Sequence, residues 1–492
     1  MSRKKRIFVD VNQITKRKSS MKNYLAVDLG ATSGRTVLAS YDGEKVDMQV
    51  WTRFENPQIP MTGHIYWDLS YLYYEIVKAL RKTAEAKISL ESIGIDTWGC
   101  DFAFFGKQGQ LIGQPFCYRD PHTDGAVEEF THVHMNAEAL YHKTGIQFMP
   151  FNSLFQLDTM RRTGITALHA AHKVMFIPDA LSFLLTGHCV CEYTVASTSQ
   201  LLNAETGDLD EKLLQFVGLS RKQFGPMVQP GTLIGTLTPQ VQQATGMGAL
   251  PVIAVAGHDT ASAVASVPAE DADFAYLSCG TWSLLGVESP YPIISKESFR
   301  LNYTNEGGVD GTIRFLKNIC GLWLLEGCRK EWKDVPADVN ELNALCQQST
   351  YQGLIAPDDA LFAHPDSMTA AIHEYCRRVD QPAPETPADY VRCIFRSLAH
   401  RYAEVVENLR TLSGVNVRRL HVIGGGSLNP YLMQMTADAT GLTVVAGPSE
   451  GTALGNVLLQ MRAGGEVGTM AEMRAISSRS VATKVYEPTL TK

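Results

Sequence analysis

The sequence lacks the features that mark membrane proteins, disulfide-rich proteins and proteins that bind nucleic acid. No stretch approaches the roughly 18 uninterrupted apolar residues that a transmembrane helix needs. The ten cysteines include no C-x-x-C pair, which argues against a zinc ribbon or a disulfide framework and favours a reduced cytoplasm. A formal net charge of -7 argues against nucleic acid as a main partner.

Two common nucleotide-binding motifs are also missing. The chain contains neither G-x-x-x-x-G-K-[ST] nor G-x-G-x-x-G, so neither a P-loop site nor a dinucleotide-binding Rossmann site is supported. The histidine pairs 132/134 and 169/172 have no cysteine partners and no H-E-x-x-H context, which makes a metal centre there a poor interpretation.

The length and composition predict a two-domain globular protein. The chain has 492 residues, of which 45% are hydrophobic and 19% charged. Domains of about 200–250 residues are the natural expectation at this length. Residues 1–20 carry seven Lys or Arg and one acid, and we expect them to be a basic extension outside the fold. The alternatives for this segment are a targeting or nucleic-acid role, or a true start at Met21.

The apolar pattern predicts an α/β protein. Helices are predicted at 72–86, with Ser70 as the cap, and at 180–185, 260–267 and 388–412. Apolar segments predict strands at 24–28, 36–41, 45–54, 93–97, 101–105, 250–256, 274–278, 282–288 and 419–423. The segment from about 110 to 250 is mixed and rich in turns.

A strand–turn–strand pattern occurs twice. Residues 25–34 read LAVDLGATSG, and residues 275–283 read AYLSCGTWS. Two such units at this separation indicate a duplicated domain with a cleft between the copies, although chance remains the alternative. The predicted domains are 21–268 and 269–492.

Glycine-rich turns follow three of the apolar strands, at 30–34, 280–281 and 424–426. Glycine lets neighbouring backbone N–H groups point together at an anion, and Ser and Thr hydroxyls add further donors. The three turns together predict a nucleotide cleft. Taken singly, each is equally well explained as a tight turn.

Two aspartates lie at the ends of predicted strands. Asp28 directly precedes the first glycine-rich turn, where a carboxylate can hold Mg²⁺ through water, or simply cap the turn. Asp259 lies between a strand and a small-residue helix, whose N-terminus favours the ionised carboxylate. A well-placed carboxylate suits the base in phosphoryl transfer, and plain helix capping is the alternative. His258 and Thr260 flank it and can hydrogen-bond a polyol.

A polar, aromatic turn follows the strand at 93–97. Trp98 can stack on the C–H face of a sugar while Gly99 lets the backbone approach a hydroxyl. The pattern leaves open whether Trp98 is a core residue instead.

Motifs spread from residue 26 to residue 429 resemble one family. They are AVDLGATSGR (26–35), IGIDTWGCDF (93–102), YRDPHTDG (118–125), GIQFMPFNSLFQL (145–157), HDTASAV (258–264), YLSCGTWSLLG (276–286), TNEGG (304–308), LKNICGLWLLE (316–326) and IGGGSLN (423–429). The set resembles the FGGY carbohydrate kinases related to glycerol kinase and xylulokinase. That resemblance implies two actin-like, ribonuclease H-like α/β domains from a duplication, with ATP and sugar in the cleft between them.

The resemblance also implies roles for individual residues. Asp259 would be the catalytic base, Gly99, His258 and Thr260 would contact the sugar, and Asp28 would lie over Mg²⁺. The residues expected to hold ATP are Ala31, Thr32, Ser33, Gly34, Arg35, Thr281, Asn318, Glu326, Gly424, Gly425 and Gly426. Two departures from the family pattern stand out, since Glu326 replaces an expected Gln and His122 replaces an expected Arg.

The reaction implied by the resemblance is ATP-dependent phosphorylation of L-rhamnulose to L-rhamnulose 1-phosphate in the cytoplasm, as a step of rhamnose breakdown. A kinase for another ketose, such as L-fuculose or L-xylulose, is the first alternative. A nucleotide-dependent binding protein on the same fold is the second. The expected partners are a small ketose and ATP, with no nucleic acid and no membrane, and a monomer is the expected state.

Overall fold

The structure is a computed structural model that describes residues 21–332, 338–363 and 365–489. The predicted basic extension at 1–20 lies outside the described residues. No helix in the described ranges is both long enough and apolar enough to cross a membrane.

The strands form two large mixed sheets and three small two-stranded ones. The strands of the described residues are β1 (Lys22–Leu29), β2 (Ser33–Tyr41), β3 (Val46–Glu55), β4 (Gln58–Met61), β5 (His64–Trp67), β6 (Ser92–Thr97), β7 (Phe102–Phe105), β8 (Lys173–Phe176), β9 (Cys191–Glu192), β10 (Met227–Val228), β11 (Thr232–Thr236), β12 (Pro251–Ala254), β13 (Phe274–Cys279), β14 (Trp282–Ser289), β15 (Thr304–Gly307), β16 (Ile313–Cys320), β17 (Arg419–Ile423), β18 (Thr443–Ala446) and β19 (Lys484–Tyr486).

The two large sheets share one topology. The first has the order β11-β12-β6-β1-β2-β3, and the second has the order β15-β16-β14-β13-β17-β18-β19. In the first sheet β1 is parallel to β6 and antiparallel to β2; in the second, β13 is parallel to β17 and antiparallel to β14. The series β3-β2-β1-β6-β12 therefore corresponds to β16-β14-β13-β17-β18. The predicted α/β class and the duplication are confirmed.

Helices pack on the sheets and fill the connections. The helices of the described residues are α1 (Leu69–Glu85), α2 (Ala126–Val133), α3 (Ala137–Thr144), α4 (Ser153–Thr163), α5 (Thr166–Ala170), α6 (Ile177–Thr186), α7 (Tyr193–Ser197), α8 (Glu211–Phe216), α9 (Pro239–Thr245), α10 (Asp259–Ala265), α11 (Lys296–Arg300), α12 (Trp323–Glu331), α13 (Val339–Gln348), α14 (Met368–Arg378), α15 (Pro387–Ser413), α16 (Pro430–Thr440), α17 (Gly451–Ala463) and α18 (Met470–Ser480).

Separate apolar cores stabilise the two sheets. The longest helix, α15, buries the apolar face that its sequence period predicts, including Ile394, Phe395 and Leu398, against the second sheet. One face of the first sheet is covered by α10 together with α17 and α18. The last two helices come from the far end of the chain. Helices α10 and α17 approach closely, because a Cβ at Gly455 would lie 1.7 Å from the backbone oxygen of Ser262. Residues after 450 thus stabilise the first half of the molecule.

Most predicted elements agree with the structure to within a few residues. The strand predicted at 419–423 has the bounds Arg419–Ile423. The predicted helix cap at Ser70 is wrong, because α1 begins at Leu69 and the Asp68 side chain accepts a hydrogen bond from the backbone N–H of Tyr71. The turn-rich segment after residue 110 contains an apolar core of its own around Phe130, Phe155 and short helices, which its sequence pattern did not predict.

Candidate active site

A cavity of about 320 Å³ lies between the two large sheets, where the carboxyl ends of their central strands meet. Its walls come from turns in both halves of the chain. Twelve of the residues predicted to be functional line it: Asp28, Ala31, Thr32, Arg35, Gly99, His258, Asp259, Thr260, Thr281, Asn318, Gly424 and Gly425. The fold therefore brings most of the predicted site residues together, over a sequence span of nearly 400 positions.

The turn that carries Asp259 is fixed from two sides. The backbone N–H of Thr97, at the end of β6, donates to the oxygen of Gly257 at 2.9 Å. The N–H of Gly257 in turn donates to Oε2 of the buried Glu192 at 2.9 Å. His258 is the N-cap of α10, and Asp259 is its first helical residue. Plain capping by Asp259 is therefore not its structural role.

The Asp259 carboxylate has few protein contacts and faces the cavity. Its Oδ1 accepts a hydrogen bond from the Thr260 hydroxyl at 3.1 Å and lies 3.5 Å from Nε2 of His258. The side chain keeps 32% of its surface exposed. Burial raises the pKa of Asp259 above its usual value, His258 lowers it and the charge of Asp28 raises it again. Desolvation is the largest of these effects.

A second cluster of charge lies beside the first glycine-rich turn. Asp28 pairs in register with Asp96 of the neighbouring parallel strand. Arg35 donates to Oδ2 of Asp28 from Nε at 2.9 Å and from Nη2 at 2.6 Å, and it also pairs with Glu450. Burial, together with the Asp28 charge, raises the pKa of Asp96 well above its usual value. Arg35 thus offsets the repulsion between two neighbouring carboxylates.

The residues around Asp28 fit a magnesium site of the usual protein type. Mg²⁺ prefers oxygen ligands, retains several waters and is commonly held by one or two carboxylates with substrate phosphates. Asp28 supplies one carboxylate at the cavity wall, directly before the turn of Gly30, Ala31 and Thr32. Arg35 is the nearest cation and is already paired with that carboxylate.

Close packing shapes the glycine-rich turns of the second half. Gly424 has a φ of +86°, and a Cβ there would lie 2.9 Å from the backbone oxygen of Cys279. The turn after β17 is therefore pressed against the turn after β13, and only glycine suits that position. Gly425, by contrast, has open space around it and lines the cavity.

The turn after β6 contributes both to the cavity wall and to an apolar core. Trp98 lines the cavity but is only 5% exposed, and its indole N–H donates to Oδ2 of Asp101 at 2.9 Å. Asp101 also accepts from Trp67 Nε1 at 2.6 Å and Gln156 Nε2 at 2.9 Å. Burial raises the pKa of Asp101 to about 6 in spite of these donors. Trp98 is therefore mainly a core residue that also borders the cavity, and its stacking on a sugar stays a prediction.

Gln147 and Glu306 also line the cavity, although no role was predicted for either residue. Gln147 Oε1 accepts from the backbone N–H of Asn318 at 3.0 Å and from its Nδ2 at 3.1 Å, which links the two halves across the cavity. Glu306 of β15 and the fully buried Arg314 of β16 lie behind His258, and Arg314 Nη2 is 3.0 Å from His258 Nδ1. Gln147 and Glu306 lie within the quoted motifs at 145–157 and 304–308, and that position was the signal that could have found them, whereas Arg314 lies in no quoted motif.

Four of the predicted nucleotide-binding residues do not line the cavity. Ser33 is exposed at the start of β2, and Gly34 lies beneath Phe54, whose ring would be 2.3 Å from an added Cβ. Gly426 packs on the Cys279 sulfur. Glu326 is half-exposed on α12 and pairs with Arg329 at 2.6 Å. A tight turn points only some of its residues at the cavity, and strand pleating turns the others away.

His122, the other departure from the family pattern, is also outside the cavity wall. Its Nδ1 lies 2.6 Å from Oδ1 of Asp120, which His64 Nδ1 also approaches, at 3.2 Å. Burial tends to raise the pKa of Asp120, but its hydrogen bonds from His122 and Ile65 bring it down to about 2. His122 therefore stabilises the loop before α2.

Comparison with known proteins agrees with this architecture. Residues 23–265 match the N-terminal domain, and residues 275–464 the C-terminal domain, of the FGGY family of carbohydrate kinases. A rhamnulokinase from Bacteroides thetaiotaomicron is 56% identical over 468 residues, which cover 95% of this chain and 96% of the relative. A rhamnulokinase from Pectobacterium atrosepticum is 42% identical over 476 residues, which cover 95% and 94%.

Among solved structures, a gluconate kinase from Lactobacillus acidophilus superposes with a TM-score of 0.78 at 18% identity, covering 96% of this chain and 94% of that one. Such a likeness speaks for the fold, whereas the identities above speak for the family. This chain belongs to the FGGY family of carbohydrate kinases.

Proposed function

We propose that this enzyme transfers the γ-phosphoryl group of ATP to the 1-hydroxyl of L-rhamnulose. The observation that carries the proposal is the 56% identity to a rhamnulokinase over 95% of the chain. The cavity supports it independently, because a carboxylate and three glycine-rich turns meet there. The same proposal assigns the reaction to the cytoplasm.

Asp259 acts as the base in this proposal. The acceptor hydroxyl lies against its carboxylate and gives up its proton as the new P–O bond forms, and Asp259 holds that proton. Because the proton leaves late in phosphoryl transfer, placement matters more than base strength. His258 and Thr260 orient the carboxylate, and a raised pKa brings it closer to the value at which a general base works best.

The two glycine-rich walls hold the nucleotide. Backbone N–H groups at Ala31 and Thr32, with those at Thr281, Gly424 and Gly425, are suited to phosphate oxygens. Asp28 would hold Mg²⁺ through water, and the ion would neutralise charge on the phosphates. A cavity closed by both halves would also exclude water, which competes as a phosphoryl acceptor.

A coupled ADP-release assay with Mg·ATP tests the proposal across L-rhamnulose, L-fuculose, L-xylulose, D-xylulose and glycerol. We expect the highest kcat/KM for L-rhamnulose. A preference for another ketose would retain the kinase and overturn the substrate. Binding of ATP with no ADP formed from any acceptor would favour a nucleotide-dependent binding protein instead.

A further inference from the structure

We propose that Glu306 is a second carboxylate of the sugar site, which accepts a hydrogen bond from a ketose hydroxyl other than the one that Asp259 deprotonates. The inference rests on the proposed function, since it concerns the acceptor of the same reaction. It assigns Glu306 to recognition of the sugar and leaves proton transfer to Asp259.

Glu306 lies at the cavity on the opposite side of His258 from Asp259. It belongs to β15, which pairs antiparallel with β16 so that Glu306 faces Arg314. The side chain is 6% exposed and lines the same cavity as Asp259. Nδ1 of His258 is 3.4 Å from Glu306 Oε2, and Nε2 of His258 is 3.5 Å from Asp259 Oδ1. One imidazole thus separates the two carboxylates.

Buried charge beside Glu306 keeps it ionised. Burial by itself would raise the pKa of Glu306, but the charge of Arg314 and the approach of His258 outweigh it, so the pKa lies below its usual value. Arg314 Nη2 is 3.1 Å from Glu306 Oε2, and the Arg314 side chain is 0% exposed. Removing either partner of such a buried pair would leave an uncompensated charge in the interior.

The Glu306 carboxylate has acceptor capacity that its neighbours do not use. Its Oε2 is buried and faces Arg314 Nη2 at 3.1 Å and His258 Nδ1 at 3.4 Å, but it forms no hydrogen bond of normal geometry with the described residues, and the side chain borders the cavity. An ionised carboxylate can accept about four hydrogen bonds. Sugar hydroxyls are the donors that such an acceptor requires, and the cavity that Glu306 lines is where the proposed ketose binds.

The two carboxylates come from different halves of the molecule. Asp259 begins α10 in the first half, whereas Glu306 is on a strand of the second sheet. A ketose can hydrogen-bond both carboxylates only if two of its hydroxyls have the right relative positions and directions. Sites that hydrogen-bond a hydroxyl discriminate strongly against substrates that cannot supply it. Glu306 therefore acts in selection among epimers.

The test is Glu306→Gln, which keeps the shape of the side chain but removes its charge. We expect the KM for L-rhamnulose to rise roughly 10- to 100-fold, the usual effect of losing a hydrogen bond to a charged group. The kcat should change less and the KM for ATP should stay at the wild-type value. Preference for L-rhamnulose over L-fuculose should also narrow. The matched control is Glu288→Gln, since Glu288 lies on β14 of the same sheet and pairs with Arg474 of α18, outside the cavity wall.

A second variant separates recognition from folding. Glu306→Gln leaves Arg314 buried without its partner, so the melting temperature is measured alongside. The double variant Glu306→Gln/Arg314→Met removes the stranded cation and should recover melting temperature while the sugar KM stays high. A wild-type sugar KM in either variant would overturn the proposal, because Glu306 would then be only structural.

Direct sugar binding distinguishes failure of this inference from failure of the proposed function. Trp98 and Trp282 line the cavity, so their fluorescence can follow a titration with L-rhamnulose. If the wild type binds L-rhamnulose without turnover, the proposed function fails, and a weaker binding constant in Glu306→Gln still supports the inference. Equal binding constants would overturn the inference alone. If the wild type binds no ketose, both fail.

Discussion

The two halves of this molecule share one strand order but end their central strands in different chemistry. In the first half, β1 ends at Asp28 and Leu29, and the neighbouring strand carries Asp96 in register with Asp28. In the second half, the matching positions are Ser278 and Ile423. At these matched strand ends the first half thus carries two carboxylates, and the second carries a hydroxyl and an apolar side chain.

The duplication determines where functional residues lie, but it does not determine their chemistry. The shared topology determines where functional residues lie, because the carboxyl ends of parallel strands meet at one edge of each sheet and the two edges face each other. The residue types at those ends determine the chemistry. Carboxylates suit a metal and a proton acceptor, whereas neutral turns suit the backbone contacts of a nucleotide.

In the first half, two neighbouring carboxylates are unfavourable because one of them, Asp96, is fully buried. Burial and the Asp28 charge raise the pKa of Asp96, and Arg35 and Asn456 offset the penalty, the latter through a 2.6 Å hydrogen bond to Asp96 Oδ2. Asn456 lies on α17, which the second half of the chain supplies. The late helices therefore stabilise the charged end of the first sheet.

The largest expected effect is on kcat, from a substitution in the first half. Asp259→Asn removes the proposed base and should lower kcat by roughly 10²–10⁴. Steady-state ADP release at saturating L-rhamnulose measures it. A variant of near wild-type turnover would remove Asp259 from the mechanism.

A tenfold to hundredfold effect is expected from the matched strand ends. Asp28→Asn should raise the Mg²⁺ concentration needed for half-maximal turnover by roughly 10–100-fold, the usual cost of losing a group that orients a metal through its ligands. Ser278→Ala, at the corresponding position of the second half, should leave the Mg²⁺ requirement unchanged. Equal shifts in both variants would erase the division between the halves.

A smaller effect is expected in the pH dependence. Asp259 works as a base only when ionised, so kcat/KM should fall as the pH drops through its raised pKa, by about tenfold per pH unit below it. Asp28→Asn removes a like charge that raises this pKa, so the acid limb should move to lower pH. An acid limb that moved to higher pH, or stayed in place, would contradict the electrostatic link between the two aspartates.

The smallest expected effect is on stability in the second half. Gly424→Ala forces a side chain into a left-handed conformation against Cys279 and should cost about 1–3 kcal/mol. Gly425→Ala, with open space at its Cβ position, should melt like the wild type. Chemical denaturation followed by circular dichroism compares the two. Equal destabilisation would mean that the packing against Cys279 is not the cause.

Local patterns predicted the strands and turns around the cavity. The strand at 419–423, the long helix ending near Ser413 and the small-residue helix at Asp259 all have apolar periods that match their burial. The duplication could be predicted because the strand–turn–strand pattern at 25–34 occurs again at 275–283, and the glycine, serine and threonine residues that form each turn make the repeat visible in the sequence.

Long-range packing could not be predicted in this way. Nothing in the pattern of residues 451–480 indicates that their apolar faces belong to the first sheet. Glu306 stood in the motif at 304–308 without an assigned role, Arg314 stood in no predicted element, and only tertiary structure brings His258 between them and Asp259. Glu326 and Gly426 share motifs with cavity residues, yet helix phase and close packing turn them away.

The most direct test of the whole account is the affinity of Asp259→Asn for Mg·ATP, measured by calorimetry beside its turnover. The account predicts wild-type affinity with turnover nearly lost, because the neutral turns hold the nucleotide and the carboxylate only accepts the proton. A loss of affinity in proportion to the loss of turnover would contradict it.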